Sequence, residues 1–208
     1  MRSASRITTA VLSVYAGLLG AAHGVYEIQQ GSIAPDGLVF NAIGPPCQPE
    51  TQSYACLPAM SIIPNLRVTG FLAIAVSLAV LVWGAAFVTR KRGSLVLLGL
   101  SIAMLLVGGG FLAPFYGIVA SAVSTRIAPQ RRPAGNAVTR GLAVLWPWLL
   151  IVYFAWIGIQ LAFAQALNAF LLGLGGGSLL IEIAALLIAA ASGVAYDTHR
   201  EKAAQPTL

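Results

Sequence analysis

The stretch SLVLLGLSIAMLLVGGGFLAPFYGIVASAVS, residues 94–124, is apolar from end to end, and its length decides the fold. As one straight helix its 31 residues span about 46 Å at about 1.5 Å per residue, against a bilayer hydrocarbon core of about 30 Å. That is too long for one crossing at ordinary tilt and too short for two complete ones. The centre, VGGGFLAPFYG at 107–117, holds three consecutive glycines and Pro114. Glycine lowers helix stability and admits positive φ; proline lacks an amide proton and clashes with the preceding turn. The pattern predicts a helical hairpin, with Ser94 to about Val107 leading in and Pro114 to about Ser124 leading back. Such half-helices persist in lipid only where other helices cover their tips.

Outward from this hairpin, the rest of the chain reads as membrane protein. Of the 208 residues, 58% are hydrophobic and 9% charged, whereas a soluble domain has about a quarter charged. Three further apolar blocks cover 7–28, 68–88 and 141–196. The last is too long for one span, and LLGLGGGS at 171–178 divides it into spans near 142–167 and 178–196. The runs are continuous rather than alternating, which favours helices over a transmembrane barrel. The expected fold is all-α: a polytopic transmembrane helix bundle in a single membrane domain, 1–208. It has four full spans plus the short Gly/Pro-centred helical hairpin, and so an even number of passes. Trp146 and Trp148 suit an interfacial belt, and Pro147 suits the first turn of its span.

The net charge of +6 does not point to nucleic acid, because the basic residues sit in short segments beside apolar runs, as orientation signals do. With the hairpin, eleven of the twelve Lys and Arg residues lie on one side, including Arg90, Lys91, Arg92, Arg126, Arg131, Arg132 and Arg140. Only Arg67 lies on the other. If 94–124 crossed once, seven of the twelve would be external. The expected location is the cell membrane, multi-pass, with both termini cytoplasmic and the proline-rich loop 29–66 outside. MRSASR followed by an apolar run also resembles a secretory signal, but the run from Ile7 to Tyr26 is longer than a usual signal core and reads as an uncleaved first span.

That loop holds the only cysteines, Cys47 and Cys56, with eight residues between them. In an oxidising compartment an even pair reads as a structural disulfide. A redox pair usually shows C-x-x-C spacing, and zinc-type spacing is absent, although both alternatives stay open.

Ionisable residues inside spans are costly and usually face a bundle interior or a cavity. The candidates are His23 and Glu27, four apart on one helical face, and Glu182 near the external start of the last span. Arg67 stands at the external end of the second span. Together they form an expected outer polar layer, with Gln30, Gln165 and Asn168 at the same level. Three readings are open: an interfacial helix end, a structural ion pair of Glu27 or Glu182 with Arg67, or a working site for a solute, proton or metal. His23 and Glu27 could supply two metal ligands, but a third is needed and Glu182 is the only obvious donor, so no metal and no cofactor are assigned. Gly20 and Gly24, in G-x-x-x-G spacing, allow close approach of another span.

Three stretches, GLLGAAHGVYEIQQG, the cysteine loop ending IIPN, and VGGGFLAPFYG, resemble a group of small multi-pass bacterial membrane proteins. The shared features are a G-x-x-H-G-x-x-E first span and a GGGF segment, covering roughly residues 16–127. The resemblance implies no established activity. Size and an even number of passes are also similar to the substrate-binding membrane subunits of vitamin importers, a fold-level analogy without a diagnostic motif. The leading functional expectation is binding or transport of a small solute or ion at the polar layer. A membrane-embedded enzyme using His23 and Glu27 as acid-base groups or ligands is the second, and a structural or assembly role the third. Besides the lipid bilayer, a second copy of the chain or another membrane subunit is the open partner class.

Overall fold

The computed structural model describes residues 3–44, 47, 56–127 and 136–203. Arg2, Arg131 and Arg132, which count toward the basic asymmetry, lie outside the described residues. The architecture is all-α, with one two-stranded antiparallel pair among the described residues. In chain order come α1 (Ala4–Gln30), β1 (Val39–Asn41), β2 (Pro58–Met60), α2 (Leu66–Val82), α3 (Gly93–Leu106), α4 (Leu112–Ser124), α5 (Ala137–Leu145), α6 (Trp148–Ala162), α7 (Ala164–Leu174) and α8 (Gly176–Ala203). A π-helical turn, Trp83–Phe87, extends α2. Among the described residues three helical segments are long and apolar enough to cross a membrane: Ala4–Gln30, Leu66–Phe87 and Gly177–Arg200. These are the spans of an integral membrane protein. The bent pair α5 and α6 makes a fourth if counted as one span.

Two compact units divide the chain, Thr9–Thr125 and Met1–Thr8 with Arg126–Leu208. In the first, α1 and α2 cross at a glycine pair. An ideal Cβ on Gly24 would lie 2.5 Å from the Gly70 carbonyl oxygen, and one on Gly70 would fall on the Gly24 carbonyl. The backbones are thus in direct contact, as the G-x-x-x-G spacing predicts. α2 buries Leu66, Thr69, Gly70, Ala73, Ser77 and Val80, a stripe at helical spacing. It starts where Asn65 accepts the Val68 amide on its side chain at 3.1 Å.

The hairpin forms where the glycines and Pro114 place it. α3 has 14 residues and α4 has 13, so each is about 20 Å long and stops about two-thirds of the way across a hydrocarbon core. Pro114 sits in the first turn of α4, where its missing N–H leaves no helical bond unmade. Strands β1 and β2 pair antiparallel, Val39 with Met60 and Asn41 with Pro58. Phe40, Ala42, Ala59 and Leu66 make a small apolar core beneath them. Cys47 and Cys56 are disulfide-bonded, with Cα atoms 5.4 Å apart.

The second unit departs from the expected single span 142–167. α5 and α6 meet at an angle of 57°, and the helix breaks again at Phe163. Pro147 explains the first break. A residue before proline avoids the helical region, and Trp146 is extended, with φ −75° and ψ 136°. The expected turn in the second glycine run is present at Gly175, which takes φ +54°. Asp197 on α8 accepts the backbone amides of Ala4 and Ser5, each at 2.8 Å. It satisfies two orphan donors and sets a negative charge at the N-terminus of α1.

Candidate functional site

His23 and Glu27 project from one face of α1 into the interior of the first unit, 3% and 0% exposed. Neither Oε1 nor Oε2 of Glu27 has a hydrogen-bond partner among the described residues, and His23 Nδ1 has none either. The interfacial helix end is therefore not what the geometry shows. In an apolar interior an unpaired carboxylate is destabilising by several kcal/mol, and native proteins rarely tolerate one without a use.

What covers the pair is the turn between the half-helices. Gly108 and Gly110 have φ of +94° and +78°. An ideal Cβ on Gly108 would lie 2.5 Å from both Glu27 carboxylate oxygens, and one on Gly110 would lie 2.5 Å from His23 Cε1 and Nε2. Both positions thus require glycine twice, for the left-handed backbone and for the space the side chains of α1 occupy. The chain reverses here because the helix carbonyls and amides find other partners. Gly109 donates to the Met104 carbonyl at 2.9 Å, Gly108 to Met60 at 2.9 Å, and Ile62 to Leu106 at 3.1 Å. Strand β2 thereby continues onto the turn, with Ser61 bridged to Val107, and covers the tip of the half-helices, the cover such a tip needs in an apolar surrounding.

Thr69 closes the side facing α2. Its methyl carbon borders the same point as the Glu27 oxygens, 2.5 Å from the ideal Gly108 Cβ. Its hydroxyl is engaged elsewhere, 3.0 Å from Ser61 Oγ. The result is a close packing of the Glu27 carboxylate and the His23 imidazole against the glycine backbone of the turn.

The other expected members of the polar layer are placed differently. Arg67 is exposed, its Nη2 4.0 Å from the ideal Cβ of Gly31, and it gives no hydrogen bond to Glu27. The Glu27–Arg67 ion pair is not formed, because Arg67 is one residue off the buried stripe of α2, turned about 100° from Leu66. Glu182 belongs to the second unit, where it is 9% exposed and accepts a hydrogen bond from Gln160 Nε2 at 2.8 Å. Gln30 donates from Nε2 to the carbonyls of Asn41 and Ala42. Sequence reading missed Gly108 beside Glu27, Thr69 at the same point, Gly110 against His23, and Gln160 as the partner of Glu182. A signal existed for the glycines, since a run of three in an apolar segment marks a backbone that something approaches.

Among the described residues no three His, Cys, Asp or Glu side chains are grouped to hold a metal ion. No protein-family model, curated protein or solved structure matches this chain.

Proposed function

We propose that this integral membrane protein resides in the cell membrane with both termini cytoplasmic, and that it binds a proton or a single small cation at Glu27 and His23. Transport of that ion, or of a solute coupled to it, is the role this chemistry serves. The observation that carries the reading is the Glu27 carboxylate, wholly buried with both oxygens unpartnered beneath a glycine turn. Broken half-helices ending beside a polar site are a recurrent way to hold ions within a membrane. Access from outside fits a cavity of about 560 Å³ in the external loop, lined in part by Gln30, Asp36, Phe40 and Asn41. Gln30 lies one helical turn beyond Glu27. The orientation rests on the eleven-to-one basic asymmetry.

The test is infrared difference spectroscopy on protein reconstituted in lipid. A pH step in salt-free buffer, and addition of sodium or ammonium at fixed pH, are the two arms. A carboxyl or carboxylate band change that disappears in Glu27→Gln and survives in Glu182→Gln is expected in at least one. If neither arm gives a band that Glu27→Gln removes, Glu27 binds neither, and the reading fails. Reporter fusions after Gln130 and Gln205 should report cytoplasm and one after Glu50 the exterior; an external signal at Gln130 would refute the orientation.

A further inference from the structure

The end of α2 carries a second feature that the Glu27–His23 pair does not use. At Trp83–Phe87 the helix widens into a π-turn, a deformation that often marks functional positions. Beside it, between α2 and α3, runs a cavity of about 440 Å³ lined by Val82, Trp83, Phe87, Val96 and Leu100, with Arg90 at its end. The walls are held in place. The Trp83 indole donates to the Gly93 carbonyl at 2.9 Å, fixing the ring across the turn that joins the helices. Val82 and Val96 remain 48% and 37% exposed, so the groove opens sideways, toward where lipid lies. Arg90 lies with its guanidinium carbon 5.0 Å from the centre of the Phe87 ring. That contact holds the cation at the groove's mouth while leaving its N–H fork free of any carboxylate among the described residues, and Lys91 and Arg92 follow in sequence.

An apolar channel with one cationic end is complementary to an amphiphile with an apolar tail and an anionic head. We propose that this groove binds an anionic phospholipid, one acyl chain lying between α2 and α3 and the phosphate on Arg90. A guanidinium takes two phosphate oxygens at once, which a cation–π contact alone does not satisfy. Basic pockets between membrane helices are an established physical route to such selectivity. A zwitterionic lipid of the same chain length fills the groove equally well but brings its own ammonium, which Arg90 repels.

Native mass spectrometry of the delipidated full chain tests this, with phosphatidylglycerol and phosphatidylcholine of identical acyl chains added at equal concentration. The wild type should retain phosphatidylglycerol preferentially. Arg90→Gln should lower that preference about fivefold, the effect of one charge near a phosphate. Val96→Trp, which fills the groove from a half-exposed position, should reduce retention of both lipids. Lys91→Gln should leave the preference largely intact. Equal retention of both lipids by the wild type would overturn the proposal. So would a loss in Lys91→Gln as large as in Arg90→Gln, because the preference would then belong to the basic cluster and not to the groove.

Discussion

Two glutamates are buried among the described residues, one in each unit, and their surroundings are opposite. Glu182 meets the side-chain amide of Gln160 at 2.8 Å, a neutral donor one helix away that stabilises it in place. Glu27 meets glycine backbone and a threonine methyl, and neither of its oxygens is bonded. By composition the two are the same signal, an acid in a hydrophobic helix. The structure separates a carboxylate answered by the fold from one left open, and it is the open one that the fold encloses with special backbone.

If that contrast is right, the enclosure is the most sensitive part of the molecule. Gly110→Ala should be the most damaging small substitution. The left-handed conformation costs a non-glycine residue about 1–3 kcal/mol, and the methyl meets the His23 ring for about 1–3 kcal/mol more. Thermal unfolding in detergent should drop sharply or folded protein should be lost. Gly99→Ala, in the same hairpin but with nothing within 4 Å of its ideal Cβ, should be neutral or slightly stabilising. Adding His23→Ala to Gly110→Ala should recover part of the loss, since the pair are in contact. No recovery would mean that strain alone, and not the approach of His23, makes the glycine necessary.

The second test asks whether the external hairpin belongs to the enclosure. Cys47→Ser removes a loop closure worth about 2–3 kcal/mol in the entropy model. Because β2 continues onto the turn through the Gly108–Met60 and Ile62–Leu106 bonds, faster amide hydrogen exchange should appear at Gly108 and Ile62. The amides of α6 and α8 should be unchanged. Unaltered exchange at Gly108 would show the hairpin to be a passive neighbour.

These contrasts also show what could be read from residues alone. The hairpin was legible because composition contradicts length at 94–124, and only a reversal resolves it. That another span approaches α1 closely was legible because Gly24 has no side chain to hold a second backbone away, although which span it is was not. The disulfide followed from there being only two cysteines, both in one loop. The 57° bend was not read, although Pro147 stands where it occurs, because a proline near a span's start fits equally well as its first-turn residue. The site was half legible. His23 and Glu27 were marked by being polar in an apolar run, but their neighbours are backbone. A glycine's proximity to a carboxylate leaves no trace in residue chemistry, and Arg67 drew attention by charge while its position on the helix turned it away.

A third experiment acts on the contrast itself. Gln160→Leu strips Glu182 of its donor and should lower stability by about 1–3 kcal/mol, the penalty of leaving a buried acceptor unmet. Glu27→Leu removes a carboxylate that had no donor to lose, so stability should hold or rise while ion binding is abolished. The two unfolding curves should therefore move in opposite directions, or one should stay fixed. If Glu27→Leu is the more destabilising, Glu27 has a partner in the membrane that stabilises the fold, and the division between an answered and an open carboxylate collapses.

The smallest effect is expected at Arg67, where chemical intuition would place a large one. A cation beside a buried acid at the end of a span looks like half of an ion pair, and breaking a buried pair costs about 3–5 kcal/mol. Arg67 is exposed, however, and Glu27 accepts nothing from it. Its charge is solvated at the outer end of α2, where surface substitutions usually shift stability by no more than about 0.5 kcal/mol. Arg67→Gln should thus leave the unfolding midpoint of the reconstituted protein within that margin, and the Glu27 infrared signal should keep its amplitude. Arg67→Glu asks the harder question, since a reversed charge acts at longer range than a hydrogen bond. It should weaken cation capture modestly, more in low salt than in high salt, as expected for a group that steers an ion without holding it. A loss of several kcal/mol in Arg67→Gln would mean that Arg67 and Glu27 do pair in the working protein and that the Glu27 carboxylate is answered by a salt bridge after all.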